Sequence, residues 1–546
     1  MHLPATAAEE TVAAELAGLS ETAPAGPVGP IGARPDGLGS AYAAALPGAR
    51  GAVLTRLWRA FAFEPLPWIT HRERGSGVLA LRLASGSRLE GPLPDPYATT
   101  FSAVRASAPP VTELLLDGRP YRRASLLVAA LGLPYGEEFA AELDDSTASL
   151  ALSRAGQPAG PDAEDLAAWE WEQRVVDGHP YHPNCRSRPG FTVAEQLAYA
   201  PEHRPVVTLG LAVVRAGECR VTGEWPDRWR EAGRILVPVH PWQAEHVVKQ
   251  GDPREKGKAK GPGNGHGYGH ELRPGPAAHP LMALRTLSSA DGGPHIKTAL
   301  SARLTSSVRD ISVYSVETAA AVSAFAQSLS ERLDGRLHIT RTLGAVTAGT
   351  PDLAAVLREP PEAYADRGAG ERVLPVAALA LTPYARSDAW RAGFARLALS
   401  VCLRVLDLGV ALEAHGQNLM VVLSADGTPQ RLVYRDLADI RISPARLARH
   451  GLAAPALSGR LITDDVTLLR RKLFGSLVAG ALGSTAGSAA ALAADLAAAA
   501  PGLPSTADTR ALLTGPLPTK ALTLMRLSPG VPGDQWAELD NPLTGG

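Results

Sequence analysis

An α+β chain in several parts is what this sequence predicts, and three observations predict it. It runs to 546 residues, too many for one small core and enough for two to four domains or one large composite enzyme. Apolar residues make up 45% of it and charged residues 20%, the balance of a soluble globular protein able to bury a large site. Helical and strand-like apolar spacings both recur along its length, in segments punctuated by Gly and Pro. The 54 basic side chains nearly cancel the 55 acidic ones, so the basic excess of a nucleic-acid protein is missing and no nucleic-acid partner is expected. Cys185, Cys219 and Cys402 stand far apart, which disfavours a disulfide framework or structural zinc and suits a reducing, cytoplasmic location.

Taken in order, residues 1–20 read as a helix whose Glu9, Glu10 and Glu15 replace the basic start of a secretion signal. Glu21 to Ser40, rich in Pro and Gly, reads as a loop. Ala52 to Phe63 has helical spacing, and Gly77 to Leu83 and Ser87 to Glu90 read as strands around a Ser-Gly turn. Ala140 to Ala168 is acidic and rich in small residues, and marks a soft boundary. Val206 to Val214 and Ile235 to Val239 read as strands. Gly251 to Pro276 reads as a mobile surface insertion. Its Gly251 to Lys258 stretch falls short of a phosphate loop because Ala259 replaces the magnesium-binding hydroxyl, and His266 and His270 lie in Gly-rich chain rather than on a helix. Ala319 to Leu333 and Ala389 to Leu408 look helical. Leu419 to Leu423 and Arg431 to Tyr434 form a strand pair turned at Asp426-Gly427, and the C-terminal portion is again helical. There, Leu473 to Ala494 carries no charge, but its Ala, Gly and Ser content favours a buried or amphipathic helix over a membrane span, so no membrane partner is expected.

Chemistry concentrates in four places. In GHPYHPNCRSRPGF, Gly178 to Phe191, two histidines (His179, His182) and two alternating arginines (Arg186, Arg188) on a proline-stiffened loop suit an anion such as phosphate; metal binding and a plain structural loop are the competing readings. Leu281 to Ser312 carries Arg285, Lys297, Arg303 and Arg309 among the hydroxyls Thr286, Thr305, Ser306 and Ser307, either a clamp for polyphosphate or polycarboxylate or a solvated basic face. In the third, a lone Arg358 ends a helical pattern before Pro360. In the fourth, LEAHGQNLMVVLSADGTPQRLVYRDLADIRI, an extended Glu413 to Gln417 puts Glu413, His415 and Gln417 on one face; Asn418 opens the first strand and Asp436 follows the second, a magnesium-nucleotide arrangement. A kinase-like phosphotransferase is the alternative from these residues alone, opposed by the absence of a Gly-rich loop with a following strand lysine and of an aspartate just after His415.

Together and in this order, GHPYHPNCRSRPGF, KTALSARLTSSVR and EAHGQN with its downstream RD resemble the IucA/IucC family, the siderophore synthetases that work independently of nonribosomal peptide synthetases. The resemblance implies a hand-like fold of mixed helices and antiparallel sheets: an N-terminal thumb (1–150), fingers (151–370) and a palm (371–546) carrying the nucleotide-site hairpin. It implies an ATP- and Mg2+-dependent ligase that adenylates a citrate-like or succinyl-type carboxylate and condenses it with an amine, hydroxylamine or alcohol, and a homodimer. By that resemblance His179, Arg285, Lys297, Arg309, Arg358 and His415 contact nucleotide phosphates or the activated carboxylate, with Arg309, His415 and Lys297 catalytic. Thr286 belongs with the ATP contacts; Thr305 and Ser306 hydrogen-bond phosphate or substrate, substrate contacts they share with Arg309 and His415; Gln417 and Asn418 orient the nucleotide; Glu413 and Asp436 are the magnesium-side carboxylates. Two departures stand out: Ala283-Leu284-Arg285-Thr286 replaces the usual Ser-x-Arg-Thr, and Arg186 replaces the usual lysine. The first leaves open a catalytically idle nucleotide-binding homologue.

Overall fold

Local sequence and burial explain the N-terminal part of this computed structural model, which describes residues 3–22, 35–99, 109–157, 166–248, 270–305 and 307–544. Helix α1 (Ala7–Thr22) is followed by α2 (Pro35–Phe63), so the expected loop of Glu21 to Ser40 gives way to helix at Pro35; residues 23–34 lie outside the described residues. Proline is well placed at that first turn, where no intrahelical N–H is needed. The far half of α2 supplies Leu54, Leu57, Trp58 and Phe61 to a core in which each is fully buried. Against it lies an antiparallel sheet in sequence order: β1 (Ile69–Arg74), β2 (Val78–Leu83), β3 (Arg88–Pro92), β4 (Leu114–Leu116) and β5 (Arg119–Tyr121). Trp58 Nε1 donates to the Pro92 carbonyl at 2.7 Å, tying helix to sheet. Then come α3 (Ala124–Leu131) and α4 (Gly136–Ala155). The soft boundary expected from Ala140 is therefore displaced: acidic Ala140 to Ala155 is helix, with Leu143, Leu150 and Leu152 buried against α2. Residues 158–165 are not described.

After α5 (Ala168–Gln173) and α6 (Val193–Tyr199) the chain builds an antiparallel nine-stranded sheet among the described residues, ordered β7-β16-β17-β12-β11-β10-β6-β9-β8. Its strands are β6 (Val207–Arg215), β7 (Arg220–Gly223), β8 (Arg230–Glu231), β9 (Arg234–Val239), β10 (Leu272–Pro280), β11 (Thr286–Ser289), β12 (His295–Thr298), β16 (Thr342–Thr347) and β17 (Ala354–Arg358). The expected insertion Gly251 to Pro276 is thus shortened at its end, because Leu272 to Pro276 already belongs to β10 and pairs with β6. The rest of it to residue 269, with His266, lies outside the described residues. Arg358 closes a strand, not a helix. The run Ala354 to Arg358 is buried at every position because β12 and β16 flank it, and cross-strand pairing overrides the local pattern. Between them a hairpin of β13 (Leu300–Leu304) and β14 (Ser307–Arg309) leaves the sheet.

Helix α8 (Val313–Ser330) leads to a mixed four-stranded sheet ordered β15-β21-β20-β18: β15 (Leu337–Ile339), β18 (Arg372–Pro375), β20 (Leu419–Leu423) and β21 (Pro429–Tyr434). The hairpin expected at Asp426-Gly427 forms, with Gly427 at φ +84°. Helix α9 (Asp388–Leu408) packs behind it, and the C-terminal helices complete the largest core through Leu469, Leu473, Leu477 and Leu496. The uncharged Leu473 to Ala494 stretch is bent by 117° at its break and buried on both sides of it; no single described helix is long and apolar enough to cross a membrane.

Candidate active site

Strand register alone gathers the first group of polar side chains. Thr286 of β11 lies opposite Lys297 of β12, and His295, two residues before Lys297, lies opposite Arg358 of β17. Directly opposed residues share a face, as do residues two apart on one strand. So Thr286, His295, Lys297 and Arg358 line one surface of three neighbouring strands, all buried. Arg285, one residue before β11, is held by donating to the backbone carbonyls of Arg309 and Asp310, the latter at 2.8 Å, which fastens the β13–β14 hairpin beside this surface.

Asp436 enters from the hairpin of the other sheet. Lys297 Nζ reaches its Oδ2 at 2.7 Å and Arg358 its Oδ1 at 3.0 Å. Burial raises the Asp436 pKa, but Arg358 and Lys297 outweigh it and hold the carboxyl well below its ordinary range. The cations meet the opposite pressure. Burial pushes Lys297 down to about 7 against the pull of Asp436, with Arg358 and Arg285 adding to the fall. Burial likewise brings Arg285 to about 10, opposed by Asp436 and reinforced by Arg309 and Arg358. Arg309 is lowered by burial and raised by Asp436 and Glu413. Four cations therefore surround one touching carboxylate, a surplus of positive charge in a desolvated place.

The EAHGQN segment is a turn, not the extended strand the alternation suggests. Asn418 and Leu419 N–H groups both donate to the His415 carbonyl at 3.0 Å, so Gln417 does not share a face with Glu413 and His415. The turn has a packing cause: a side chain at Gly416 would lie 2.8 Å from the Ala377 backbone nitrogen. The Gln417 N–H donates to His415 Nδ1 at 3.2 Å, which leaves a neutral His415 with its proton on Nε2. Burial lowers the His415 pKa, with Lys520 and Lys472 assisting and Glu413 and Asp436 opposing. Asn418 donates from its amide to the Glu413 carbonyl at 3.3 Å. Glu413 Oε1 accepts from Lys472 and Lys520, each at 3.1 Å, while its Oε2 stands 4.0 Å from His415 Nε2.

His179 is exposed and its Nδ1 accepts from the Tyr181 and His182 N–H groups at 3.2 and 3.1 Å. Thr305 sits at the hairpin tip with φ +62° and donates its N–H to the Ser187 carbonyl at 3.1 Å, pinning the tip to the histidine loop. Ser306 lies outside the described residues. Leu284 (φ +63°) and Asp436 (φ +73°) are likewise left-handed without being glycine, so strained backbone clusters at this place.

The anion reading of Arg186 and Arg188 is overturned. Both are buried, Arg188 Nη1 lies 2.7 Å from Glu202 and Arg186 Nη1 3.8 Å from it, and Arg186 also donates to the Val175 and Val176 carbonyls. They hold the loop from behind. What sequence reasoning missed lies at the C-terminal end: Lys472 of α11 (Val466–Leu473; α10 is Pro444–Arg449) and Lys520 of β23 (Leu517–Lys520; β19 is Val410–Ala411, β22 Arg441–Ile442). Lys472 was visible only as the last of three basic residues flanking an apolar run. Magnesium fits this donor set in one way only. Among the described residues no three His, Cys, Asp or Glu side chains converge on one point, but magnesium takes one or two carboxylates and completes its shell from bound phosphates, and Asp436 and Glu413 suit that role.

Residues 167–381, which supply the cation-lined strands, match the family described as IucA / IucC family. That stretch is where the chain is similar to the family, and the match covers less than half of its 546 residues. Residues 388–531 match a family described as ferric iron reductase FhuF-like transporter; the one cysteine there, Cys402, is buried in α9, so that segment holds no set of thiolate ligands. The citryl-spermidine/3,4-dihydroxybenzoyl-citryl-spermidine:spermidine ligase of Bacillus anthracis is 25% identical over 323 residues, 49% of this chain and 50% of that protein. Such alignments span about half the length of the curated relatives. The fold is that of solved synthetases. The petrobactin biosynthesis protein AsbB of Bacillus anthracis aligns with a TM-score of 0.74 at 17% identity, covering 93% of this chain and 98% of that one. The ATP-bound aerobactin synthetase IucA of Klebsiella pneumoniae aligns with a TM-score of 0.64 at 20% identity, covering 91% and 99%.

Proposed function

We propose that this chain is an ATP-dependent ligase of siderophore biosynthesis that adenylates a carboxylate and transfers the acyl group to an amine, hydroxylamine or alcohol. The observation that carries the reading is the cation surplus around Asp436: Lys297, Arg358, Arg285 and Arg309 are desolvated together with one touching carboxylate between them. A triphosphate supplies the missing negative charge. The names of its relatives, ligases and synthetases of siderophores, support the same reading.

In the first step a carboxylate oxygen attacks the α-phosphorus of ATP and pyrophosphate leaves. Two anions must approach, and Arg309 with the neutral Nε2–H of His415 is suited to bridge them, since donors placed where charge develops lower the barrier most. Lys297, Arg285 and Arg358 bind the phosphates, with the Thr286 and Thr305 hydroxyls and the exposed His179 adding hydrogen bonds; Gln417 and Asn418 border the nucleotide. Thr305 and Ser306 flank the acid. Magnesium, held through Asp436 and Glu413, neutralises phosphate charge when bound. In the second step the nucleophile's nitrogen or oxygen attacks the acyl carbon, AMP departs, and the nucleophile gives up a proton. The reading carries with it a cytoplasmic homodimer and the three-part division at about residues 150 and 370.

Incubation with ATP, magnesium, hydroxylamine and a panel of citrate-like and succinyl-type acids tests it. AMP with a trapped hydroxamate from one acid is expected; ADP would point to a phosphotransferase, and no turnover with any acid to an idle nucleotide binder.

A further inference from the structure

One buried carboxylate joins the two halves of the site from behind. Glu172 of α5 is fully buried, and Gln173 beside it donates to the Pro280 carbonyl at 3.0 Å, which fixes the helix against the end of β10. Glu172 Oε2 accepts the Met282 N–H at 3.2 Å, at the entry to the turn that presents Arg285. Both of its oxygens also face Arg435, the residue before Asp436: Nη1 stands 2.7 Å from Oε1, and Nη2 donates to Oε2 at 2.8 Å. The same guanidinium donates to the Gln417 carbonyl from Nε at 3.1 Å and from Nη2 at 2.9 Å, and the Arg435 N–H donates to the Asn418 carbonyl at 3.0 Å.

The turn before β11, the EAHGQN turn and Asp436 thus share one anchoring charge, although Met282 and Arg435 lie 110 and 263 residues from it in sequence. A planar guanidinium can hold a carboxylate along one edge and a carbonyl along the next, which an ammonium does not reproduce. Backbone strain stands at both ends of the tie: left-handed Leu284 is two residues beyond Met282, and left-handed Asp436 follows Arg435. Such conformations persist where surrounding contacts over-determine them.

We propose that Glu172 is a positioning residue: through Arg435 and the Met282 N–H it holds His415 and Asp436, on one half of the site, in register with Arg285 and Lys297 on the other. The inference rests on the proposed adenylation for which groups must meet, but amide hydrogen exchange measures it without turnover. In the full-length wild-type chain, the amides of 413–419 and of 281–286 should open as one unit, with the same free energy and the same urea dependence. Glu172→Gln keeps the shape and removes the charge, and Arg435→Lys keeps the charge and removes the fork. Each should speed exchange in both segments together by about 10-fold or more, the scale of one lost charge-assisted hydrogen bond. In each, kcat for carboxylate-dependent AMP release should fall by about 10-fold or more, while the calorimetric Kd for ATP changes far less, since Lys297 and Arg358 still meet the phosphates. The double variant should lose no more than the worse single one. Asp495→Asn, which breaks the buried pair of Asp495 with Arg391 of α9, controls for lost stability: it should lower the thermal midpoint and leave exchange in both segments and kcat at wild-type values. Independent opening of the two segments in the wild-type chain, loosening of one alone in the variants, the same changes in Asp495→Asn, or ATP affinity that falls as far as kcat would overturn the proposal. Joint loosening in a chain that makes no AMP with any acid would leave it standing and remove the adenylation reading instead.

Discussion

Arg309 lies within electrostatic reach of Asp436 and Glu413, which raise its pKa against burial, and of the buried His182, whose pKa it helps to lower. Replacing it by Ala, or His415 by Ala, should lower adenylation by about 10²-fold or more, the cost of a lost transition-state donor, with the thermal midpoint little changed. Glu202 predicts the contrary pattern. It is fully buried against Arg186 and Arg188, so Glu202→Ala strands two buried cations and should cost about 3–5 kcal/mol in denaturant unfolding without a selective rise in KM for ATP. The sequence made Arg309, Arg186 and Arg188 look alike, since all are cations in dense motifs. What separates them is the partner across the fold: Glu202 lies outside the histidine loop that it neutralises, and no local spacing announces it. Lys297 and Asp436, 139 positions apart, were legible as site residues only because each sits in its own recognisable motif.

At the scale of elements, the EAHGQN turn depends on close approach. Its glycine lies against the backbone of Ala377, whose N–H donates to the Gly416 carbonyl at 2.9 Å. Gly416→Ala should push the turn away and carry His415 with it, reducing kcat by about 10-fold or more while far-ultraviolet circular dichroism stays native; normal turnover in that variant would show that the turn tolerates displacement. Elements fixed by local chemistry were legible: the β20–β21 hairpin from Asp426-Gly427, α9 from its apolar period. Elements decided by distant partners were not. Ala354 to Arg358 has no alternation because both its faces are covered, and Leu272 to Pro276 reads as loop through its two prolines and glycine until β6 pairs with β10 around a bulge.

Across the whole molecule, the ends of the chain are joined through Glu64, just past α2. Its carboxylate, 3% exposed, accepts from the Thr523 and Leu524 N–H groups at 3.1 and 2.7 Å, at the start of the segment that carries Arg526. Burial raises its pKa to about 7, against the lowering effect of those N–H groups and of Arg59. A carboxyl raised above its unfolded value binds more protons in the folded state, so this contribution is full below about pH 4.5 and is lost as pH rises through about 7. Unfolding by urea at pH 5 and pH 7.5 should show that slope, and Glu64→Gln should flatten it. The central claim concerns chemistry, and carboxylate-dependent exchange of labelled pyrophosphate into ATP tests it most directly, because only a reversible acyl-adenylate step returns pyrophosphate to the nucleotide. The account predicts exchange with one acid of the panel and its loss by about 10²-fold or more in Arg309→Ala; ADP formation without exchange, or undiminished exchange in that variant, would contradict it.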